Sequence, residues 1–394
     1  MNERLYIQDV GAICALGSGS SQIWNNLQTG CSPGLSVDSE PLYSGRYACS
    51  AHIIVPLPEL PEQLLSLTNR NNRIAYACCQ QIQATVEKLK LQYGSDRIGV
   101  VLGTSTSGIA AVEHAFDYQQ QHGELPKHFN YANQEVGTLA EVVSNLLGLE
   151  GVNYGISTAC SSAARAIISA QKLIDAGVCD AVISGGVDSL CQLTSNGFDS
   201  LEQLSASASR PFDQARSGIN IGEAGALLVL SRQPSHIYLA GTGESAEAHH
   251  MSAPQPCGSG AKQAMQMALQ QAQLQPQDIG YINAHGTATQ LNDAMEAKAI
   301  AELFTAQTPV SSTKALTGHC LGAAGAIEAA ICYWLLKQPH AALPQQWPED
   351  FNIDPNIPPI KLVRQVQTCN SPWVLSNSFA FGGNNVSLIF GREA

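Results

Sequence analysis

The sequence predicts an α/β protein made of two similar halves. Short apolar runs alternate with longer alanine-rich stretches along the 394 residues. The runs are continuously apolar, which is typical of strands buried on both faces of a sheet between layers of helices. The same order of elements also occurs twice along the chain, and 44% of the residues are hydrophobic, which is enough for a large core.

The positions of the main elements follow from these patterns. Two stretches with apolar residues at every third or fourth position are predicted as helices, and the first ends at Gly177, a common helix stop. The predicted helices are 161–177 and 324–337, and the predicted strands are 97–103, 180–186, 225–231, 237–243, 373–378 and 385–391.

Three segments between these elements lack a clear period. Residues 114–135 and 196–222 are polar, and we expect them to form irregular excursions over the two halves. The proline-rich stretch "PQQWPEDFNIDPNIPPI" (344–360) is predicted to be a surface connection without a strand.

The internal repeat divides the chain near "RQPSHI" (232–237). In the first half, "RIGVVLGTSTSG", "STACSSAARAIISAQKLI", "AVISGGVDS" and "ALLVLSR" follow one another. "DIGYINAHGTATQ", "SSTKALTGHCLGAAGAIEAAICYWLL", "VLSNSFAFGGNN" and "VSLIFGR" follow in the same order in the second half. We therefore predict one half at residues 1–235 and another at 236–394. Since ligands favour the carboxyl ends of parallel strands, matching strand ends from both halves are expected to meet at one site.

Charge and cysteine usage narrow the class of function. A net charge of −12 argues against nucleic-acid binding, which needs a basic face. The twelve cysteines form no C-x-x-C pair and no zinc-type ladder with histidines, so we expect free thiols and no metal. The start lacks the features of an export signal, and no apolar run approaches the ~18 residues of a membrane span. A cytoplasmic location is the expectation.

Cys160 is the first candidate for chemistry. It lies in "GISTACSSAARAIISAQKLIDAG" (155–177), after a strand-like segment and before a helix. The free N–H groups and positive end of that helix would face the sulfur, lower the pKa of the thiol and stabilise a thiolate. Cys160 is therefore either a nucleophile or, like most buried cysteines, a small apolar residue of the core.

The loop "INAHGTATQLND" (282–293) is the second candidate. It begins at the expected carboxyl end of a strand and contains His285, which is either a solvated loop residue or a site residue. Thr287 and Thr289 add hydroxyl groups nearby. Asp293 and Glu296 add carboxylates that can hold such a loop in a hydrogen-bonded network.

Two further segments come from the second half. In "SSTKALTGHCLGAAGAIE" (311–328), His319 precedes a helix of small residues, a setting that mirrors Cys160, whereas Lys314 alone is compatible with an ordinary surface lysine. "NSFAFGGNN" (377–385) brings Phe379 and Phe381 to a strand end, either as a hairpin or as a source of backbone N–H groups for an oxyanion.

A cysteine with two histidines suggests acyl transfer followed by carbanion chemistry. The sulfur can take an acyl group as a thioester, and the histidines can stabilise negative charge on the oxygen of a second thioester. The sequence contains no competing carboxylate dyad, zinc motif or phosphate-binding loop.

Four ordered motifs, "TACSSA", "HGTAT" with a following "ND", "TKALTGH" and "NSFAFGGNN", resemble those of a β-ketoacyl-acyl-carrier-protein synthase of the thiolase fold. The resemblance covers nearly the whole chain. It implies two duplicated α/β halves in a five-layered α-β-α-β-α sandwich, normally a dimer. It also implies that a carbanion from malonyl-acyl-carrier protein attacks an acyl-enzyme, giving a 3-oxoacyl product and carbon dioxide. Substrates would be carried on the phosphopantetheine of acyl carrier protein, without another cofactor.

The resemblance also assigns roles to individual residues. Cys160 matches the nucleophile, and His285 and His319 match the pair that assists decarboxylation and holds the enolate. Lys314 would organise the histidine region with Glu296 as its partner, while Asp293 would support the same loop. Thr287 and Thr289 match threonines that contact the pantetheine arm. The backbone N–H groups of Cys160 and Phe381 would form the oxyanion hole. Phe379, Ala380 and Phe381 match the gate of the acyl pocket.

Departures from the family pattern point to a specialised enzyme. Ala380 stands where a glycine is usual in the gate loop, and "GTSTSG" (103–108) is similar to synthases of bacterial polyene pathways. The nearest basic residues to the usual carrier-docking helix are Arg70 and Arg73. Fatty-acid and polyketide or polyene elongation both remain open, as do a homodimer and a heterodimer with a homologous subunit. The alternatives are a non-catalytic chain-length subunit and a thiolase.

Overall fold

The structure, a computed structural model, describes residues 4–338 and 340–393 and is built around one large mixed β-sheet. Eleven strands lie side by side in this sheet, β2 pairs with β1 as a short hairpin, and β3 and β4 form a separate pair. The strands are β1 (Leu5–Cys14), β2 (Gly17–Ser18), β3 (Leu35–Val37), β4 (Cys49–Ala51), β5 (Ile98–Gly103), β6 (Asn153–Ile156), β7 (Ala181–Asp188), β8 (Ala224–Ser231), β9 (Ile237–Ala246), β10 (Ile279–Asn283), β11 (Pro309–Ser311), β12 (Lys361–Leu362), β13 (Trp373–Phe379) and β14 (Asn384–Arg392).

The described residues form ten α-helices around this sheet, together with short 3₁₀ turns. The helices are α1 (Gly19–Thr29), α2 (Arg70–Tyr93), α3 (Ile109–His122), α4 (Thr138–Leu147), α5 (Ser162–Asp175), α6 (Gln192–Ser200), α7 (Ser259–Ala272), α8 (Gln290–Leu303), α9 (Lys314–Thr317) and α10 (Ala324–Lys337). None of the helices in the described part of the chain is long and apolar enough to cross a membrane.

The strand order shows the duplication directly. The first half follows the order β6-β5-β7-β8-β1, and the second follows β11-β10-β13-β14-β9, with β12 added at its edge. In each half the first three strands are parallel to one another, and the fourth strand runs antiparallel to both of its neighbours. The halves join where β1 pairs with β9, and the boundary predicted after residue 235 falls in the loop between β8 and β9.

The apolar side chains form three main clusters that separate the layers. One cluster contains α5 and α10 with the inward faces of both half-sheets, and the other two lie beneath α2 and α4 on one side and α7 and α8 on the other. Successive strand residues enter different clusters, as for Val100 and Val101 of β5, because neighbouring side chains of a strand point to opposite faces. The order is α-β-α-β-α, so the predicted five-layered arrangement is confirmed.

All six predicted strands and both predicted helices are present, with bounds shifted by a few residues at most. The prediction of irregular structure at 114–135 and 196–222 was partly wrong. Helix α3 continues to His122, and α6 ends at Ser200. Only Val112 and Ala115 of α3 are buried, and its exposed surface carries Phe116 and Tyr118 as well as polar residues, so the apolar period is weak.

The packing of α5 against β5 generates a stability prediction. A Cβ atom on Gly103 would lie 2.4 Å from the backbone nitrogen of Ala163, so Gly103→Ala forces the helix away from the strand. We expect the free energy of unfolding to fall by about 2 kcal/mol. The measurement is urea denaturation followed by circular dichroism.

Gly137→Ala is the matched control. The added Cβ meets no described atom within 4 Å, and φ is −69°, so we expect a change of about 0.5 kcal/mol or less, in the stabilising direction. Equal effects of the two substitutions would contradict the close packing at Gly103.

Candidate active site

Cys160 lies at a sharp turn between β6 and α5. Ala159 has a φ of +51°, a left-handed conformation that is uncommon for alanine and aims the next residue out of the turn. The Ser162 hydroxyl donates to the Ala159 carbonyl at 2.6 Å and accepts from the Thr158 N–H at 2.9 Å, which fixes the turn. The Cys160 side chain is 5% exposed and lines a cavity.

His319 reaches the same cavity from the second half. Its backbone N–H donates to the Asn220 carbonyl at 2.7 Å, and its carbonyl accepts from the Gly222 N–H at 3.0 Å. Residues 220–222 of the first half therefore pair with the backbone of His319 as a neighbouring strand would. The preceding Gly318 has φ +69° and leaves no room for a Cβ, which would lie 2.6 Å from the Cβ of Ala51.

His285 is positioned by Glu296 of α8. The two carboxylate oxygens accept from the backbone N–H groups of His285 at 2.8 Å and Gly286 at 2.7 Å. Asn377 of β13 donates to the same carboxylate at 3.2 Å. Glu296 is completely buried, and burial raises its pKa to about 7. Its position shows that it holds the loop and does not face the cavity.

Asp293 also holds backbone groups. It accepts from the N–H of Ala288 at 3.2 Å, next to Thr287 and Thr289, and from the N–H of Phe212 at 2.7 Å. Burial raises the pKa of Asp293 to about 6. Asp293 thus ties both the 285–289 loop and the segment around Phe212 to α8.

The three candidate side chains meet. The Nε2 atom of His319 lies 3.0 Å from the Cys160 Sγ, and the rings of His285 and His319 stand edge to face with centroids 5.3 Å apart. One ligating atom from each of the three residues lies within 4.8 Å of the others, and all three side chains are buried. The gathering of one sulfur and two imidazoles predicted from the motifs therefore exists.

Burial controls the protonation of this cluster. It lowers the pKa of His285 and His319 well below the usual range, and the positive charge of Lys314 lowers both further. Both imidazoles are therefore neutral at neutral pH. Burial also raises the pKa of the Cys160 thiol to about 12, against the opposing effects of Lys314 and of the Phe381 N–H. The shift is opposite in direction to the one expected from the start of the helix, because desolvation of the sulfur is its largest cause.

Lys314 has a different partner from the one expected. Its ammonium pairs with Glu328 of α10, and both side chains are almost completely buried. The prediction of Glu296 as partner was wrong, because that carboxylate is occupied by the backbone N–H groups of the His285 loop. Burial raises the pKa of Glu328 to about 7, and Lys314 opposes the shift.

The remaining predicted residues line the cavity around the triad. Thr287 and Thr289 share a hydrogen bond of 3.0 Å between their hydroxyls, and Phe379 contacts His285 with ring centroids 6.2 Å apart. The Phe381 ring packs on Phe198 of α6 at 5.5 Å between centroids. These cavity residues are Thr287, Thr289, Phe379, Ala380 and Phe381.

The loop at residues 380–383 has glycine only where its backbone requires it. Ala380 has φ −108° and ψ 156°, an ordinary extended conformation that accommodates its methyl group. Gly382 and Gly383 have φ values of +81° and +78°, and a Cβ on Gly383 would collide with the Glu247 carbonyl at 2.1 Å.

Asp188 is a site residue that the sequence analysis missed. This buried carboxylate accepts from the hydroxyls of Thr104 and Thr106 at 2.7 and 2.8 Å, and from the N–H of Ala323, four residues after His319, at 3.1 Å. It therefore ties the end of β5 to the start of α10. Its position at the carboxyl end of the buried strand β7 was the available signal.

Arg70 and Arg73 are engaged within the chain. The Arg70 guanidinium pairs with the buried Glu223 and donates to the Ile53 carbonyl. Arg73 pairs with Glu59 and donates to carbonyl groups of the neighbouring loop. Both charges are thus partly neutralised on this surface.

Comparison with known proteins identifies the family. The family models of the "Beta-ketoacyl synthase, N-terminal domain" and the "Beta-ketoacyl synthase, C-terminal domain" match residues 66–236 and 236–347, respectively. The 3-oxoacyl-[acyl-carrier-protein] synthase 2 of Staphylococcus aureus (strain COL) is 31% identical over 99% of this chain and 98% of its own length. The chain belongs to the beta-ketoacyl synthase family. It is a condensing enzyme of the acyltransferase class that forms 3-oxoacyl thioesters.

Solved structures of ketosynthases have the same fold. A chain of the ketosynthase (ApeO) in complex with its chain length factor (ApeC) from Xenorhabdus doucetiae is similar with a TM-score of 0.95 and 46% identity, over 99% of this chain and 98% of that chain. A beta-ketoacyl synthase from Burkholderia phymatum STM815 has a TM-score of 0.88 and 29% identity over the full length of both chains. The predicted thiolase-like fold is confirmed.

The buried pair of Lys314 and Glu328 generates a double-mutant prediction. Lys314→Met and Glu328→Leu each leave one buried charge unpaired, and we expect each to lower the free energy of unfolding by about 3 kcal/mol. The double variant should lose clearly less than the sum, because neither charge then remains alone. Chemical denaturation of the four proteins measures the coupling.

Lys314→Met combined with Glu296→Gln is the matched control cycle. We expect nearly additive losses there, because Glu296 binds backbone N–H groups. Strong coupling to Glu296 with none to Glu328 would contradict the pairing.

Proposed function

We propose that this chain is the catalytic ketosynthase of a heterodimer that elongates acyl chains on an acyl carrier protein. The observation that carries the proposal is the cluster of Cys160, His285 and His319, buried at a cavity with Sγ and Nε2 3.0 Å apart. A non-catalytic chain-length subunit has no need of this cluster. A thiolase would carry a second cysteine in the gate loop, which here reads "FAFGGNN".

The first step transfers the acyl group to the enzyme. As the Cys160 sulfur attacks the carrier's thioester, its proton passes to the neutral Nε2 of His319. The backbone N–H groups of Cys160 and Phe381 favour negative charge at this point and would hold the oxyanion of the tetrahedral intermediate. The carrier's thiol leaves with a proton, and the acyl group remains as a thioester on Cys160.

The second step joins two carbon units. Loss of carbon dioxide from malonyl-carrier protein places negative charge on its thioester oxygen. Neutral His285 can donate its N–H to that oxygen, and so can His319 in the tautomer that carries its proton on Nε2. The carbanion then attacks the carbonyl carbon of the acyl-enzyme. The new bond releases the Cys160 sulfur, which takes up one proton, and leaves a 3-oxoacyl-carrier protein.

In this proposal the cavity receives a substrate that is tethered to its carrier protein by phosphopantetheine. No further cofactor is part of the proposal. Thr287 and Thr289 would contact the phosphopantetheine arm, with Leu201 and Leu291 at the partly exposed rim. Phe379, Ala380 and Phe381 would form the gate between this entrance and the acyl chain. Twelve free cysteines suit a reducing compartment, and we place the enzyme in the cytoplasm.

The surface near β6 is suited to binding a partner subunit. Among the described residues, β6 pairs with β5 alone and leaves an open edge of the sheet, which proteins rarely leave uncovered. Exposed apolar side chains lie on the neighbouring elements, namely Phe116 on α3, Tyr131 just before α4 and Val152 just before β6. The similarity to a ketosynthase that is solved with its chain length factor favours a homologous, non-identical partner.

Replacing the nucleophile tests the reaction. We expect Cys160→Ala to abolish chain extension and retain release of carbon dioxide from labelled malonyl-carrier protein, since the histidines are untouched. His319→Ala should reduce carbon dioxide release by roughly 100-fold, because it removes one donor to the enolate. Chain extension by Cys160→Ala would refute the proposed function, and an unchanged carbon dioxide yield in His319→Ala would remove that residue from the mechanism.

The partner is tested on the intact assembly from its source cells. We expect native mass spectrometry to find one copy of this chain with one homologous chain, and Tyr131→Asp to release the partner by placing a charge in an apolar contact. Val366→Asp is the control, because Val366 is exposed near β12 at the opposite edge of the sheet. A homodimer, or dissociation by the control alone, would contradict the heterodimer at this edge.

A further inference from the structure

The catalytic triad also has the composition of a metal site. One donor atom each from Cys160, His285 and His319 lies within 4.8 Å of the others, and the three residues are 5%, 1% and 3% exposed. A thiolate and two imidazoles bind zinc and other borderline-soft ions in preference to the harder magnesium and calcium ions.

The spacing needs only small movements to fit zinc. Zn–S bonds of about 2.3 Å and Zn–N bonds of about 2.05 Å in a tetrahedron put sulfur and nitrogen about 3.6 Å apart. The Cys160 Sγ and the His319 Nε2 are 3.0 Å apart and would separate slightly. The donor atom of His285, no more than 4.8 Å from the others, would move inward.

The fourth coordination position would face the cavity. All three side chains line this cavity together with Thr287 and Phe381. Three protein ligands with one open position are typical of zinc sites that exchange a water or a substrate atom. An ion can therefore enter by the route that the substrate uses.

The surroundings are unlike those of a resident metal. Zinc-bound histidines almost always donate their second ring N–H to a carboxylate or carbonyl, whereas the Nδ1 atoms of His285 and His319 have no hydrogen-bond partner among the described residues. Lys314 adds positive charge close enough to lower the pKa of both rings. Both features favour reversible binding over permanent occupancy.

We propose that Zn²⁺ binds reversibly to Cys160, His285 and His319 and inhibits the enzyme by occupying its nucleophile. Binding exchanges the thiol proton for a Zn–S bond and releases that proton to solvent, with no change of oxidation state. An acylated Cys160 has its sulfur in a thioester and cannot form this bond, so zinc and the acyl group exclude each other. The inhibition rests on the proposed function, but the binding itself does not.

Cobalt provides a spectroscopic test on the full-length protein with its co-purified partner. We expect Co²⁺ to produce visible bands of a four-coordinate ion and a near-ultraviolet sulfur-to-cobalt band, saturating near one equivalent and disappearing when Zn²⁺ is added. Cys160→Ala should abolish the sulfur-to-cobalt band. His319→Gln, a second variant that keeps the sulfur, should bind Co²⁺ roughly 100-fold more weakly.

Cys257→Ala is the matched control, because Cys257 is an exposed thiol that does not line the cavity and whose pKa is lowered by its hydrogen bond to Ser259. We expect this variant to keep the bands. Bands that survive Cys160→Ala, or that disappear with Cys257→Ala, would overturn the proposal, as would a wild-type protein that gives no bands.

The same samples separate the two proposals. In the wild type, equimolar Zn²⁺ should slow condensation and a chelator should restore it. If cobalt bands depend on Cys160 and no condensation is found, the metal site stands and the proposed function fails. If condensation proceeds without bands and without zinc inhibition, the metal site alone is refuted.

Discussion

The close packing of α5 against α10 between the two half-sheets is the contact on which the site depends. Each helix begins just after a candidate catalytic residue, Cys160 before α5 and His319 shortly before α10. The helices approach closely because small residues face each other: a Cβ on Gly325 would lie 2.9 Å from that of Ala164. Larger side chains here would separate the helix starts, and with them the sulfur and the imidazole.

Most of the buried carboxylates of the site accept hydrogen bonds from backbone N–H groups. Glu296 and Asp293 accept N–H groups of the His285 loop, and Asp188 accepts the N–H of Ala323 at the start of α10. A catalytic loop cannot satisfy its own N–H groups by regular secondary structure, and buried unpaired donors are costly. These acids therefore make it possible to bury the loops that carry the histidines. Glu328 alone among the four pairs with a buried cation.

Desolvation sets the chemical state of the cluster. Burial keeps both imidazoles neutral and the thiol protonated, although a helix begins beside the sulfur. A neutral, hydrogen-bonded thiol–imidazole pair can pass its proton at the moment of attack, and neutral histidines can donate to an enolate without carrying permanent charge. Neutral imidazoles are also the form that binds a metal ion, whereas the thiol has to release its proton when the proposed zinc ion binds.

The sequence by itself determined the strands, the helices α5 and α10, the duplication and the gathering of Cys160, His285 and His319. These features are local or repeated: continuous apolar runs mark buried strands, and ordered motifs mark the ends of strands and helices. Only the tertiary structure decided that Lys314 pairs with Glu328, that Asp188 ties the two halves together, and that the thiol pKa is raised. Each of these depends on which groups lose water together and on distances between residues far apart in the chain, and no sequence period records either quantity.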